Sequence, residues 1–240
     1  MKALILAGGR GKRLGDLTSQ INKCMIQVGK KPVIEHSLMR VTEIPEISEV
    51  IIVVGHRAED IINHFGISYN GKKIQYVIQW EQLGLVNAIE CAKDAIGSDD
   101  FLLLLGDEIF INSRHKEMVQ TYVKDCPFAM CGVFVQKDLE KISRTYTVLS
   151  DENGRIFRLI EKPKKPLNHI QGTGNCVFRN EILSYIKRTP IHPERGEKEL
   201  PDLIQCAIDD GNEVSIFNIC DNYGNINTVC DRDEIEIIIH

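Results

Sequence analysis

The chain has 240 residues, of which 43% are hydrophobic and 26% charged, and its 29 basic and 34 acidic side chains leave a net charge of −5. Those proportions belong to a soluble globular protein with one large domain or two small ones, and they exclude collagen-like, low-complexity and disulfide-dense chains. There is no basic field to hold a nucleic-acid backbone, and no apolar run approaches the ~18 residues of a membrane span, so neither nucleic acid nor membrane is an expected partner. No secretory leader pattern follows Met1, which points to the cytoplasm. Eight cysteines without CxxC spacing and seven scattered histidines argue for reduced core thiols and against a zinc site.

In chain order, residues 2–6 (KALIL) predict a short buried strand that runs straight into glycines. Residues 33–44 place Ile34, Leu38 and Val41 on one helical face, and 49–54 (EVIIVV) predict a second strand closed by Gly55. A short amphipathic helix over 59–65 stops at Gly66, and a third strand covers 74–79. Residues 85–96 carry Leu85, Ala88, Ile89, Ala92 and Ile96 on one stripe, and 101–105 (FLLLL) are apolar on both faces, as a central parallel strand must be. Further on, 128–135 predict a long strand, 145–150 and 155–161 a hairpin around the turn at 151–154, and 173–179 another strand. Helices are expected over 181–187 and 199–209, then a strand over 214–219 and a terminal helix capped by Thr228 and Asp231. This order predicts an α/β fold: one Rossmann-like three-layer domain with a mixed, mostly parallel sheet, its residues after ~140 forming a lobe on the first half.

The segment from Leu6 through Gly8, Gly9, Gly11, Lys12 and Arg13 to Gly15 forms the loop that leaves the first strand. Glycines allow backbone N–H groups to approach phosphate closely, and Lys12 and Arg13 add positive charge. It is not a Walker A loop, because Gly11-Lys12 is followed by Arg13 rather than Ser or Thr. A dinucleotide site wants a carboxylate ~20 residues on, at the end of the second strand. Here that strand ends Val53-Val54-Gly55-His56, which disfavours an oxidoreductase. Asp107 follows Leu105-Gly106 at the carboxyl end of a doubly buried strand, where α/β sheets place ligand chemistry. Glu108 beside it is expected in solvent, and Pro163 is expected to keep the Lys162 backbone extended. Gln79 reads equally as a strand-end amide, and Trp80 as core, lid or stacking residue.

LAGGRGKRL followed by Lys23 in NKCMIQVGKKPVIEH resembles the signature of the NTP:sugar-1-phosphate nucleotidyltransferases, with Asn22-Lys23-Cys24 standing where many members carry Pro-Lys-Pro or Pro-Lys-Ala. Gln79 through Gly84 resembles the family's base-reading segment, Gly106-Asp107 its metal-binding strand end, and Glu161-Lys162-Pro163 its E-K-P. Gly172-Thr173-Gly174-Asn175 falls where members meet the sugar, and Gly224 to Thr228 stands at the place of D-x-G-T or D-x-N-T. Agreement in order runs from residue 2 to about residue 233.

The resemblance implies transfer of a nucleoside monophosphate from a triphosphate to a sugar 1-phosphate with release of pyrophosphate. Residues 1–140 would mainly bind nucleotide and 141–240 the acceptor. Leu6, Ala7, Gly8, Gly9, Gly11, Gln79 and Gly84 would bind the nucleotide, with Arg13, Lys23 and Lys162 as catalytic cations. Glu161, Gly174 and Asn175 would face the acceptor, and Asp107 with Asn225 would hold Mg²⁺. Asn227 and Asp221 stay open as alternatives to Asn225, which replaces the aspartate of many members. The implied partners are CTP, UTP or dTTP and a phosphorylated small molecule, in capsule or polysaccharide sugar metabolism by analogy. The nucleobase and the oligomeric state, a homo-oligomer included, stay open. The competing readings are a cytidylyltransferase for a non-sugar phosphorylated or phosphonate acceptor, and a non-catalytic nucleotide-binding module.

Overall fold

Apolar residues on both faces of the segments KALILA, EVIIVV and FLLLL commit them to a sheet covered on both sides. The computed structural model describes residues 1–11, 13–15 and 20–239. Its strands are β1 (Lys2–Ala7), β2 (Gln27–Val28), β3 (Lys31–Pro32), β4 (Glu49–Val54), β5 (Ser68–Tyr69), β6 (Lys72–Ile78) and β7 (Phe101–Leu105) in the first half, then β8 (Glu108–Ile111), β9 (Ala129–Val135), β10 (Tyr146–Ser150), β11 (Ile156–Glu161), β12 (Ile170–Phe178), β13 (Val214–Asn218) and β14 (Asn222–Asn225). The helices are α1 (Val33–Thr42), α2 (Ala58–Phe65), α3 (Leu85–Cys91), α4 (Lys93–Ile96), α5 (His115–Asp125), α6 (Leu139–Ile142), α7 (Leu200–Asp209) and α8 (Val229–Ile239).

The strand pleat divides the core in two. Ala3, Ile5, Val50, Ile52, Leu102 and Leu104 point to one face, where Ile34, Leu38 and Val41 of α1 and Met118 and Val119 of α5 cover them. Leu4, Ile51, Val53, Phe101 and Leu103 point to the other, against Val86 and Ile89 of α3 and Leu203 and Ile204 of α7. A fully buried Leu or Ile contributes roughly 1.5–3 kcal/mol, so three such strands dominate the fold's stability. The result is the three-layer α/β domain expected from the element order.

The sheet centre runs β7-β1-β4-β6 in parallel. The chain leaves β1 towards β4 on one side and returns to β7 on the other, so its direction of winding reverses between β1 and β7. Crevices open at the carboxyl ends of strands at such a point. Beyond β7 the pairing turns antiparallel. β12 meets β7 through residues 176–178 and β10 through residues 171–172, while β9 flanks its other edge. The ladder between β12 and β9 breaks between Gly172 and Cys176, leaving Thr173 to Asn175 to be held by other means. β13 adds to β9 in parallel, and a bridge between Arg155 and Ser215 brings the start of β11 back to it.

Several local expectations change. The helix read over 85–96 is two, broken at Ala92. The segment read as a helix over 181–187 is a 3-10 helix, Asn180–Tyr185. The Lys162 backbone is left-handed at φ +42°, not extended. Proline at the next position disfavours the right-handed helical region but leaves this one open, and the chain turns there because Lys162 N–H donates to Thr145 O at 2.6 Å, closing the end of the β10–β11 hairpin. All eight cysteines are free, but only Cys24, Cys131, Cys176 and Cys220 are buried. Among the described residues no helix is long and apolar enough to cross a membrane.

Candidate active site

The loop after β1 is drawn down onto its neighbours by glycine. A Cβ on Gly8 would stand 2.7 Å from Gln79 Oε1, and one on Gly55 would stand 2.8 Å from Gly8 O. Real Cβ atoms do not approach so closely, so position 55 needs glycine if the loops after β1 and β4 are to touch, and a side chain at Gly8 would push on the Gln79 amide. Gly11 turns through φ +62°. Asn22 then pins the far end of the loop. Its fully buried amide donates to Ala7 O at 3.3 Å and to His56 O at 2.6 Å, while its oxygen accepts from Cys24 N–H at 2.8 Å. That bond caps the 3-10 turn Lys23–Met25 and aims Lys23 inwards. Lys12, expected to add charge here, lies outside the described residues.

Opposite, Gly106 N–H donates to Leu6 O at 2.9 Å, and a Cβ there would meet Cys24 Sγ and Leu6 O, each at 3.1 Å. The end of β7 is thereby pressed against β1, which carries Asp107 to Lys23. The Lys23 ammonium pairs with Asp107 Oδ2, both side chains being largely buried, at 10% and 18% exposed. Lys23 Nζ also donates to Asn227 Oδ1 at 3.1 Å, and Arg13 Nη2 donates to the same oxygen at 2.8 Å. Asn227 is itself fixed. Asp231 accepts from the N–H groups of Asn227 and Thr228 at 2.9 and 2.7 Å, and Thr228 Oγ1 accepts from Asp231 N–H at 3.2 Å. This reciprocal cap starts α8 as the sequence predicts.

These residues line a cleft of about 360 Å³ that also includes Leu6, Ala7, Gly8, Gly9, Gly11, Gln79 and Gly84. All the expected nucleotide-binding positions thus come together, with the cations Arg13 and Lys23 and the carboxylate Asp107. Gln79 is only 5% exposed, so it is no solvated strand-end amide. Its Nε2 donates to Asn87 Oδ1 at 2.8 Å and to Gly84 O at 3.2 Å, which turns its oxygen towards Gly8. Trp80 is 83% exposed and therefore not core; it stands with Arg10, Gln82 and Glu197 around an open groove at the mouth.

A second cleft, of about 130 Å³, shares Leu85 and Leu105 with the first. Glu161, Gly174 and Asn225 line it, together with Glu108, Tyr223 and Glu199. A Cβ on Gly174 would collide with Leu105 at 2.2 Å, so glycine is required where the wall of this cleft meets β7. Burial raises the Glu161 carboxyl against the pull of Lys162, whose ammonium lies 3.1 Å from Glu161 Oε1. Lys162 itself lines neither cleft. Glu108, expected in solvent, is 1% exposed. It accepts from Gly174 N–H, from Asn175 Nδ2 and from the Tyr223 hydroxyl. Burial first, and the neighbouring Asp107 charge second, push its carboxyl up to about 8.

Two placements differ from the sequence reading. Asn175 is fully buried, bonded to Glu108 on one side and His115 on the other, so it stands behind the smaller cleft rather than in it. Asn225 lines the smaller cleft and spends its Oδ1 on Asn227 Nδ2 at 2.9 Å, whereas Asn227 is the amide that meets Lys23 and Arg13 beside Asp107. Asp221 lies apart, engaged by Arg114 and Asn112. Glu108 was expected in solvent and Tyr223 went unread because no local pattern marks their contact. It joins residues more than 60 positions apart in the chain.

The sequence matches the family model described as nucleotidyl transferase over residues 2–226. It is 32% identical over 237 residues to the UTP–glucose-1-phosphate uridylyltransferase AglF of Haloferax volcanii, covering 98% of this chain and 95% of that protein. It is 31% identical over 243 residues to a glucose-1-phosphate thymidylyltransferase of Streptomyces griseus, covering 100% of this chain and 66% of that protein. A UDP-glucose pyrophosphorylase solved in complex with UDP-glucose shares the fold, with a TM-score of 0.88 over 99% of this chain and 97% of that one, at 21% identity.

Proposed function

This chain belongs to the sugar-phosphate branch of the nucleotidyl transferase family, and we propose that it transfers the nucleoside monophosphate of UTP or dTTP to a hexose 1-phosphate of the glucose type, releasing pyrophosphate. The observation that carries this reading is the meeting of Arg13, Lys23, Asp107 and Asn227 on the floor of a glycine-walled cleft at the carboxyl ends of β1 and β7. The uridylyl and thymidylyl activities named for its relatives supply the choice of base and acceptor.

In the larger cleft the N–H groups around Gly8, Gly9 and Gly11 cradle the triphosphate, and Arg13 adds charge at its outer end. The oxygen of Gln79 accepts from the N3–H of uracil or thymine. The acceptor phosphate is already an anion, so it attacks the α-phosphorus in line without a general base. Catalysis is then a matter of positioning and of stabilising charge. Lys23 exchanges Asp107 for the α-phosphoryl oxygens, on which negative charge builds. Lys162 exchanges Glu161 for the incoming phosphate, while Glu161, Glu108 and Gly174 face the body of the acceptor.

The donor set suits Mg²⁺. One carboxylate, Asp107, lies beside the amide oxygens of Asn227 and Asn225, and among the described residues no group of three or more His, Cys, Asp or Glu forms a closed metal cage. Mg²⁺ takes one or two carboxylates and draws its other ligands from water and substrate phosphates. Asp107 with Asn227, and Asn225 next to them, would hold the ion, which when bound supplies positive charge against the phosphates.

A pyrophosphate-release assay of four nucleoside triphosphates against glucose 1-phosphate, N-acetylglucosamine 1-phosphate, phosphocholine and 2-aminoethylphosphonate tests this reading. Release with UTP or dTTP and a hexose 1-phosphate is expected. Release confined to CTP with phosphocholine or the phosphonate would replace it with the non-sugar cytidylyltransferase.

A further inference from the structure

Behind the smaller cleft runs a buried polar chain that the phosphate chemistry does not use. Ser113 Oγ lies 3.0 Å from His115 Nδ1, His115 Nε2 lies 2.7 Å from Asn175 Oδ1, and Asn175 Nδ2 donates to Glu108 Oε2. His115, Asn175 and Glu108 are each no more than 2% exposed. The directions of these bonds depend on one another. Asn175 spends its amide N–H on Glu108, so its oxygen accepts, and His115 must donate to it from Nε2. The imidazole is then the Nε2–H tautomer, with Nδ1 left to accept from the Ser113 hydroxyl. Phe110 holds the ring edge-on, with centroids 5.0 Å apart at 84°.

A buried chain of this kind costs desolvation that apolar side chains of similar size would avoid. What it supplies is orientation, and it supplies it where the ladder has lapsed. Between Gly172 and Cys176, Thr173 Oγ1 donates to Gly132 O at 2.9 Å, Asn175 N–H donates to Thr173 Oγ1 at 3.2 Å, and Gly174 N–H donates to Glu108 Oε1 at 3.2 Å. Asn175 therefore ties the cleft's irregular wall to the carboxylate on its floor. Three donors fix the orientation of that carboxyl group, whose remaining position, a lone pair or the proton of the neutral acid, is left for a ligand in the cleft it lines.

We infer that His115 and Asn175 are positioning residues for the acceptor: Asn175 sets the orientation of Glu108 and of the Gly174 N–H, and His115 sets the orientation of Asn175. This rests on the smaller cleft being the acceptor's.

The test is initial-rate kinetics with glucose 1-phosphate and UTP, or dTTP if that is the nucleotide used, on the wild type, His115→Phe and His115→Gln. Losing the hydrogen bond that orients Asn175 should raise the acceptor KM roughly tenfold in His115→Phe, with the nucleotide KM and kcat within about twofold of wild type. Glutamine can place an N–H where His115 Nε2 stands, so His115→Gln should return the acceptor KM to within about twofold. A space-filling role would favour Phe over Gln. The inference is overturned if His115→Phe leaves the acceptor KM unchanged, if both KM values rise together, or if Gln rescues no better than Phe. Nitrogen-15 NMR of the wild-type histidine rings gives a check independent of variant folding: His115 should be a neutral Nε2–H imidazole between pH 6 and 8, and an Nδ1–H ring or an imidazolium would refute the bond directions. A wild type inactive with every triphosphate and hexose 1-phosphate would remove the functional reading, and this inference with it.

Discussion

The two clefts that meet at Leu85 and Leu105 are made of different material. The larger is backbone and cation: Gly8, Gly9 and Gly11 line it, and Arg13 and Lys23 converge on Asp107 and Asn227. The smaller is side chain and acid: Glu108, Glu161 and Glu199 line it, and Lys162, paired with Glu161, stands outside. Backbone amides and mobile cations grip phosphate whatever it is attached to. Fixed carboxylates read the hydroxyls of one particular body. Under the proposed function, the difference amounts to a division of labour in which reactivity belongs to the larger cleft and acceptor choice to the smaller.

The largest expected effect breaks the larger cleft. Asp107→Asn should lower kcat by about a thousandfold in the pyrophosphate-release assay, because the carboxylate that would hold Mg²⁺ is lost. Full activity would remove Asp107 from the phosphate chemistry. Lys23→Met should follow at about a hundredfold in kcat, with the acceptor KM little changed. A rise confined to the acceptor KM would mean that Lys23 serves the smaller cleft.

The next effect sharpens the other side. Burial, reinforced by the charge of Arg40, holds the His115 imidazole down at about 3, below its ordinary 6.5. The unfolded chain takes up a proton below that ordinary value that the folded state refuses. This stability is therefore present above pH 6.5 and drains as the pH falls towards 3. Glu108, raised to about 8, works in the opposite sense: its contribution is full below its ordinary 4.5 and is lost as the pH rises towards 8. The two contributions oppose each other between pH 4.5 and 6.5, and His115→Gln removes one of them. Measured by urea unfolding, the stability of His115→Gln relative to wild type should improve by about 2 kcal/mol from pH 7 to pH 5. No change would show that the ring takes up a proton in the folded state. The smallest effect lies at the edge of the larger cleft. Thr228→Ala removes half of the cap beneath Asn227 and should cost about 1 kcal/mol, lowering the melting temperature by roughly 2–4 °C.

The two clefts also differ in how far they could be read from the chain. The larger was legible because its parts sit at the ends of strands with unmistakable patterns. β1, β4 and β7 are apolar on both faces, and the glycine loop follows β1 directly while Asp107 comes two residues after β7. Lys23 was found through the resemblance of the segment around it to the family's signature. The smaller cleft was legible only in part. Glu161 and Gly174 come from motifs, but the burial of Glu108 depends on β12 and β14, whose positions no local pattern reveals. Asn175 was placed at the cleft, yet which way an amide points is decided by its neighbours. Helix α5, which carries His115, escaped notice because only Met118, Val119 and Tyr122 mark its buried apolar face. The left-handed turn at Lys162 follows from a hydrogen bond to Thr145, not from Pro163.

A calorimetric titration of UTP into Gly8→Ala and Glu161→Gln tests the division between the clefts most directly. A Cβ on Gly8 collides with Gln79, whereas Glu161 lines only the smaller cleft. The account predicts that Gly8→Ala loses about tenfold in UTP affinity, some 1.4 kcal/mol, and that Glu161→Gln binds UTP like the wild type. Loss of UTP affinity in Glu161→Gln, with Gly8→Ala unaffected, would contradict it.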